Sequence, residues 1–405
     1  MKNRSLLIIF FLIVGCGPRK LDFERPVDTR SRPISLQVKR SYDFPQQRLS
    51  FHNLFDGARL NGVTQINDSV YSISVMPENT PINNSAYYAF AVNSQTTQTL
   101  YLRFDYPEGY NHRYVPKQNW KQGWRITPEE DLSLVDSTTQ LQLNNVYGEG
   151  IIAAQELQNS SHVAKWVEEN IENKPYIEWK TIGTTTLGRP MWVLDMTLGP
   201  SKEKPLVVFF TRQHPPEVTG YFAFQAFMKE VMGGSDTAKA FLEKYRVLAF
   251  PLVNPDGVDL GHWRHNAGGI DTNRDWGNYR QPEIKSIVNY IHKVKKESKS
   301  KVVMGLDFHS TWYDVFYTNK ERLATPFPKF LDQWFQALES SVPNYKVNEK
   351  ASNSTQPVSK GWLLYGHNAV GVTYEIGDET PRDDIQFIGK TSAQALMHLL
   401  SNEVN

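Results

Sequence analysis

Pro205-Leu206-Val207-Val208-Phe209-Phe210 is an unbroken apolar run, and four residues on comes His214-Pro215-Pro216-Glu217. From Glu217 to Met232, Val218, Tyr221, Phe224, Phe227, Met228 and Val231 recur at helical spacing, and Gly233-Gly234 stops the pattern. A run apolar at every position is that of a strand buried on both faces. The same signature returns in Val247-Leu248-Ala249-Phe250-Pro251-Leu252-Val253 and in Val302-Val303-Met304-Gly305-Leu306-Asp307. Between them, Pro282 opens a helix with Ile284, Ile287, Val288, Ile291 and Val294 on one face. Helices are also expected over Gln158 to Glu172 and Thr391 to Leu400. Alternating units of this kind predict an α/β/α sandwich around a mostly parallel central sheet, over residues 156–405.

Upstream the period changes. Ser69 to Val75, Ala86 to Val92 and Thr99 to Phe104 alternate apolar and polar residues, are rich in aromatic and β-branched side chains, and are cut by Asn, Gly and Pro. That pattern predicts an antiparallel, all-β sandwich domain over residues 41–155. Residues 16–40 are polar and carry Pro18, Pro26 and Pro33, so they read as a tether. Residues 1–15 have Lys2 and Arg4 ahead of the apolar run Leu6 to Val14, the layout of a signal peptide. The run is too short for a permanent membrane span. It ends in Ile13-Val14-Gly15-Cys16, which resembles a bacterial lipobox with Cys16 as the lipid-bearing residue. The expected location is the bacterial cell envelope, anchored by lipid and facing the periplasm or the cell surface.

Composition narrows the function. Cys16 is the sole cysteine, so the body has no disulfide and no thiolate ligand. Without Lys2 and Arg4, 42 basic face 43 acidic side chains, and no basic stripe suggests nucleic acid. Oligomeric state leaves no mark in the sequence. We found no internal repeat and no second long apolar segment.

Chemistry-bearing residues cluster just past the apolar strands, where open α/β sheets bind ligands. His214 and Glu217, three apart, face the same way if a helix starts there, which suits either a metal pair or a first-turn charge. His309 follows the third apolar run, within Asp307-Phe308-His309-Ser310. Two imidazoles and a carboxylate make a three-ligand set that leaves a fourth zinc position open. Glu375 ends the apolar strand Val370 to Tyr374, where a carboxylate is costly unless paired, for instance with Arg382, or functional.

In order and setting these pieces resemble the zinc carboxypeptidases, or funnelins, over roughly residues 175 to 400. The resemblance implies Zn2+ held by His214, Glu217 and His309. It implies Glu375 as general base and acid, and Arg264 beside the developing oxyanion. Asn273 and Arg274 would grip the substrate's terminal carboxylate, which a guanidinium fork fits with two parallel hydrogen bonds. The turn Asn254-Pro255-Asp256-Gly257 is also family-like, and His262, His265 and His367 read as structural or rim residues. A β-sandwich ahead of the peptidase, chiefly through Tyr87-Tyr88-Ala89-Phe90, is similar to the cytosolic carboxypeptidase branch and its bacterial relatives. Aligned on the family's tryptophan and glutamate through Trp362 and Glu375, the resemblance also implies Lys360 at the base of the side-chain pocket, favouring an acidic C-terminal residue. The family's substrate-capping tyrosine would fall near Asn353, which leaves Tyr345 and Tyr365 as nearby candidates.

The expected activity is therefore metallocarboxypeptidase action on peptides. A peptidoglycan stem-peptide amidase acting on muropeptides, an N-acyl amino acid deacylase and an inert lipid-anchored binding protein are the competing readings.

Overall fold

The computed structural model describes residues 17–402. The signal peptide and Cys16 lie outside the described residues. Among those described, no helix is long and apolar enough to cross a membrane.

The all-β domain differs from expectation in one respect: its nine strands form one continuous sheet, not two stacked ones. Two long strands, Ala89–Asp105 and Thr138–Ala153, pair with each other and belong to both halves. Between Ser94 and Leu100 their register breaks. On one side of the break the neighbours are Leu49–His52 and Lys117–Asn119; on the other they are Val70–Ser74 and Leu132–Val135. Bulges bend strands, and here the bend folds one sheet over a core of Phe51, Tyr71, Tyr88, Phe90, Leu102 and Ile152. Among the described strands of this sheet, the one parallel pair is Val70–Ser74 with Ala89–Asp105.

The second domain is the expected three-layer sandwich. Its eight strands lie in the order Ile177–Thr184, Pro190–Met196, Arg246–Phe250, Leu206–Thr211, Val302–Thr311, Val370–Gly377, Val315–Thr318, Glu349–Ala351. Arg246–Phe250 through Val370–Gly377 are parallel, and these are the strands with continuous apolar sequence. Helices Ser160–Ile171, Val218–Val231, Phe330–Ser341 and Arg382–Asn402 cover one face. Pro282–Ser298 and Ser359–His367 cover the other. Helix Val218–Val231 presses so closely on the sheet that a Cβ on Gly220 would strike the backbone carbonyl of His309. The absence of that one side chain sets the distance between helix and strand.

The tether reading of residues 16–40 is corrected for the described part, residues 17–40. This segment is a strap laid along the sandwich. Leu21 N donates to Gly277 O at 3.1 Å, Arg25 N to Thr355 O at 2.8 Å and Arg32 N to Gly268 O at 2.8 Å. Thr29 is fully buried, its hydroxyl on Asp275 and its carbonyl accepting from Gln281. The attachments are mainly backbone hydrogen bonds, which leave no hydrophobic period to read.

Candidate metal and peptide-binding site

The site lies at the carboxyl edge of the parallel strands. Strand Leu206–Thr211 ends at Arg212, which takes left-handed φ (58°) and turns the chain across the sheet edge. Helix Val218–Val231 starts later than the sequence suggested, so His214 and Glu217 meet through a turn and not along a helix face. Glu217 N donates to His214 O at 3.3 Å, and Pro215-Pro216 stiffens the loop between them. His309 approaches from strand Val302–Thr311. The donor atoms of His214, Glu217 and His309 all lie within 4.8 Å of one another, and all three residues are buried.

The hydrogen bonds around this triplet decide what it can hold. His214 Nδ1 is 2.7 Å from Glu217 Oε1, and His309 Nδ1 is 2.6 Å from Glu217 Oε2. Each ring's other nitrogen faces a second carboxylate: His214 Nε2 lies 2.9 Å from Asp271 and His309 Nε2 2.9 Å from Asp307. With a metal bound, those carboxylates would hold the proton on Nε2 and leave each Nδ1 lone pair for the ion; without it, Nδ1–H donates to Glu217. Three acceptors converging at such distances form a set that a cation completes. The geometry fits Zn2+, as expected from the residue types.

Asp271 and Asp307 escaped the sequence reading. Asp307 left a signal, a carboxylate inside an apolar strand, and it also takes hydrogen bonds from Gln213 and Ser359. Asp271 is a hub. Arg264 Nε donates to its Oδ2 at 2.8 Å, and Arg274 Nη1 stands 3.8 Å from the same oxygen. Burial would raise the Asp271 carboxyl; Arg264, His214 and Arg274 outweigh it and hold it well below the usual carboxylate range.

Glu375 sits on the strand beside His309, level with it in the ladder. Its Oε2 is buried without a hydrogen-bond partner. Burial pushes its carboxyl up to about 8; His309 opposes the rise, and Glu217 and Asp307 add to it. A pairing with Arg382 is excluded, because Arg382 pairs with Glu156 and covers the Phe222 ring. Asn273 Oδ1 accepts from Ser359 N at 2.9 Å, which joins the Asn273-Arg274 turn to helix Ser359–His367.

Lys360, the next residue of that helix, is buried. Its ammonium donates to the carbonyls of Thr318 and Ser352. Among the described residues no carboxylate pairs with it, and burial pushes it down to about 8. Tyr365 is corrected: it lies outside the site, 45% exposed, edge-on to Phe23 at 5.6 Å, with its hydroxyl on Ser354 O. Five residues along a helix rotate a side chain by about 140° relative to Lys360, so both cannot face one pocket. Tyr345 packs against the main core. The tyrosine that feels the Glu375 charge is Tyr317, on the neighbouring strand Val315–Thr318.

A family model described as zinc carboxypeptidase matches residues 163–394. An uncharacterised Zymomonas mobilis protein is 21% identical over 347 residues, covering 81% of this chain and 87% of its own length. Cytosolic carboxypeptidase 1 of Xenopus laevis is 27% identical over 184 residues, 39% of this chain but 15% of that protein. Among solved structures, a Burkholderia cenocepacia metallo-carboxypeptidase superposes with a TM-score of 0.73 at 17% identity, over 87% of this chain and 98% of that one. A Pseudomonas aeruginosa metallo-carboxypeptidase gives 0.71 at 17% identity, over 86% and 98%. These two superpositions take in the all-β domain together with the sandwich.

Proposed function

Since the chain belongs to the zinc carboxypeptidase family, we propose that it removes the C-terminal residue of peptides by hydrolysis. One observation carries this reading. A three-donor metal set, a buried carboxylate oxygen without a partner and a part-exposed guanidinium meet on one sheet edge. His214, Glu217 and His309 would hold Zn2+, which when bound polarises a carbonyl and makes a water acidic near neutral pH.

The finer steps belong to the protein's own side chains. Glu375, through Oε2, takes a proton from the attacking water and passes it to the departing amine. Arg264 presents its guanidinium where negative charge develops on the carbonyl oxygen. Arg274, 27% exposed at its side chain and set 3.8 Å from Asp271, has donors to spare for the substrate's terminal carboxylate. Lys360 supports a preference for an acidic C-terminal side chain, because its buried charge lacks a counter-ion. The second carboxylate of a diamino diacid in a muropeptide satisfies the same requirement, so cell-wall peptides remain within the proposed substrate class. A lipid anchor at Cys16 is part of the proposal, resting on the apolar run before it.

The test is digestion by the zinc-loaded full chain of matched peptides with free and amidated C-termini, plus muropeptides and N-acyl amino acids. Cleavage of free-ended peptides and muropeptides alone supports the reading. Equal cleavage of amidated peptides refutes the carboxylate clamp, and hydrolysis of N-acyl amino acids alone would make the enzyme a deacylase.

A further inference from the structure

The loop that carries Arg264 is built as much by the all-β domain as by the sandwich. Trp263 is fully buried in the all-β core, with Tyr110 edge-on at 5.3 Å and Tyr106 at 6.3 Å. Arg264, the next residue, faces the opposite way and donates to Asp271. Between these two commitments the backbone is held by a single carboxylate. Glu78, fully buried in the all-β domain, accepts from Trp263 N at 2.8 Å, Arg264 N at 3.0 Å and His265 N at 2.6 Å.

Three successive N–H groups aimed at one point form an anion-binding concavity. Here the anion belongs to the other domain. Asn79 extends the grip, its Oδ1 2.7 Å from His265 Nδ1 and its Nδ2 on Gly269 O at 3.1 Å. Arg59, itself buried, donates to Met76 O at 2.8 Å and sets the segment leading into Glu78. Burying a charge is costly unless it is paired and hydrogen-bonded; here the three N–H donors and the nearby Arg59 and His262 offset that cost.

We propose that Glu78 is a positioning residue for Arg264, so the all-β domain forms part of the catalytic edge. The inference rests on the reading of Arg264 as the oxyanion partner. Glu78 touches neither substrate nor metal; it fixes where the Arg264 backbone sits, and through it the reach of the guanidinium. An amide in place of the carboxylate presents an NH2 group to N–H donors, so at least one of the three bonds is lost.

The test compares zinc-loaded full-length wild type with Glu78→Gln, Glu78→Asp, Arg264→Ala and the double variant Glu78→Gln/Arg264→Ala. Zinc content and circular dichroism check that each is folded. Readouts are kcat and KM, and the affinity of a peptide phosphonate, whose tetrahedral anion resembles the charged adduct. Glu78→Gln should lower kcat about 10- to 100-fold, the scale of an ångström's misplacement. KM should barely change, and phosphonate affinity should fall in step with kcat/KM. Glu78→Asp, which keeps the charge, should recover part of the loss. The double variant should be no slower than Arg264→Ala, since both changes remove one interaction. A silent Glu78→Gln beside a damaged Arg264→Ala overturns the proposal alone. A silent Arg264→Ala overturns the oxyanion reading and the proposal with it. If Glu78→Gln does not fold, Glu78→Asp decides: wild-type kcat with wild-type phosphonate affinity overturns the proposal, and a kcat-specific loss supports it.

Discussion

His214 and Asp271 are joined at 2.9 Å through the ring nitrogen that points away from the metal set. The carboxylate therefore selects the tautomer that leaves Nδ1 free for a ligand, and it holds the plane of the ring. Asp271→Asn keeps the shape and removes the charge. We expect metal affinity to drop by about 10- to 100-fold, read by competition with a chromophoric chelator. Zinc affinity unchanged by this substitution would show that the turn alone orients His214.

Glu375→Gln should keep one zinc per chain and lose at least about a hundredfold in kcat, the scale of an absent general base. Zinc is expected to stay because Glu375 lies beside the donor set without bonding to it. His309→Ala should lose the metal itself. Metal analysis and turnover on the two variants separate the roles, and an active Glu375→Gln would remove this residue from the mechanism.

Arg274→Lys preserves charge and gives up the fork. A charge-assisted hydrogen bond contributes about 1.5–3 kcal/mol, so kcat/KM for a free-ended peptide should fall about 10- to 100-fold. The loss should show mainly in KM, and the small residual rate on an amidated peptide should not change. Equal losses on both peptides would mean that Arg274 supports the fold only.

Lys360 gives a pH signature. Its ammonium is charged below about 8 and loses its charge above, so preference for a Glu-ending over a Leu-ending peptide should be strongest below that value. As pH rises past it, KM for the acidic peptide should increase while KM for the apolar one holds. Lys360→Met should flatten the difference at every pH. A ratio of kcat/KM values independent of pH and of this substitution would take Lys360 out of the pocket.

Gly220→Ala is a stability experiment. The added Cβ would meet the His309 carbonyl, so helix or strand must move. A loss of about 1–3 kcal/mol is expected from overpacking, with weakened zinc binding because His309 and Glu217 move relative to each other. Thermal melts with and without zinc check this, and an unchanged Tm would show that the interface yields freely.

What could be read from the sequence follows a physical division. Buried parallel strands announce themselves through runs such as Leu206 to Phe210, and the donor residues stand just past the ends of such runs. Glu375 was visible because a carboxylate in an apolar strand is anomalous. Asp271 and Glu78 were not, since their roles come from hydrogen bonds to distant backbone and rings, and acidic residues in loops are ordinary. Tyr365 misled because nearness in sequence to Asn353, where the family's capping tyrosine would fall, says nothing about which side of a helix a ring occupies. The all-β domain was recognised by alternation, yet alternation cannot say whether two layers are separate sheets or one bent sheet.

The strap has a consequence for how the chain is made. Thr29 bonds to Asp275, 246 positions downstream, and Arg25 to Thr355, further still. During synthesis from the amino end, this stretch has nothing to rest on until those downstream partners exist. Such distant pairings form late and slowly. Both domains can collapse around their own cores before the strap closes, which leaves a stage with nearly all secondary structure in place and the Asp275 carboxylate without Thr29. Such a stage would be open to proteases at residues 20–35, so resistance to a brief protease pulse should appear after the core signals in refolding.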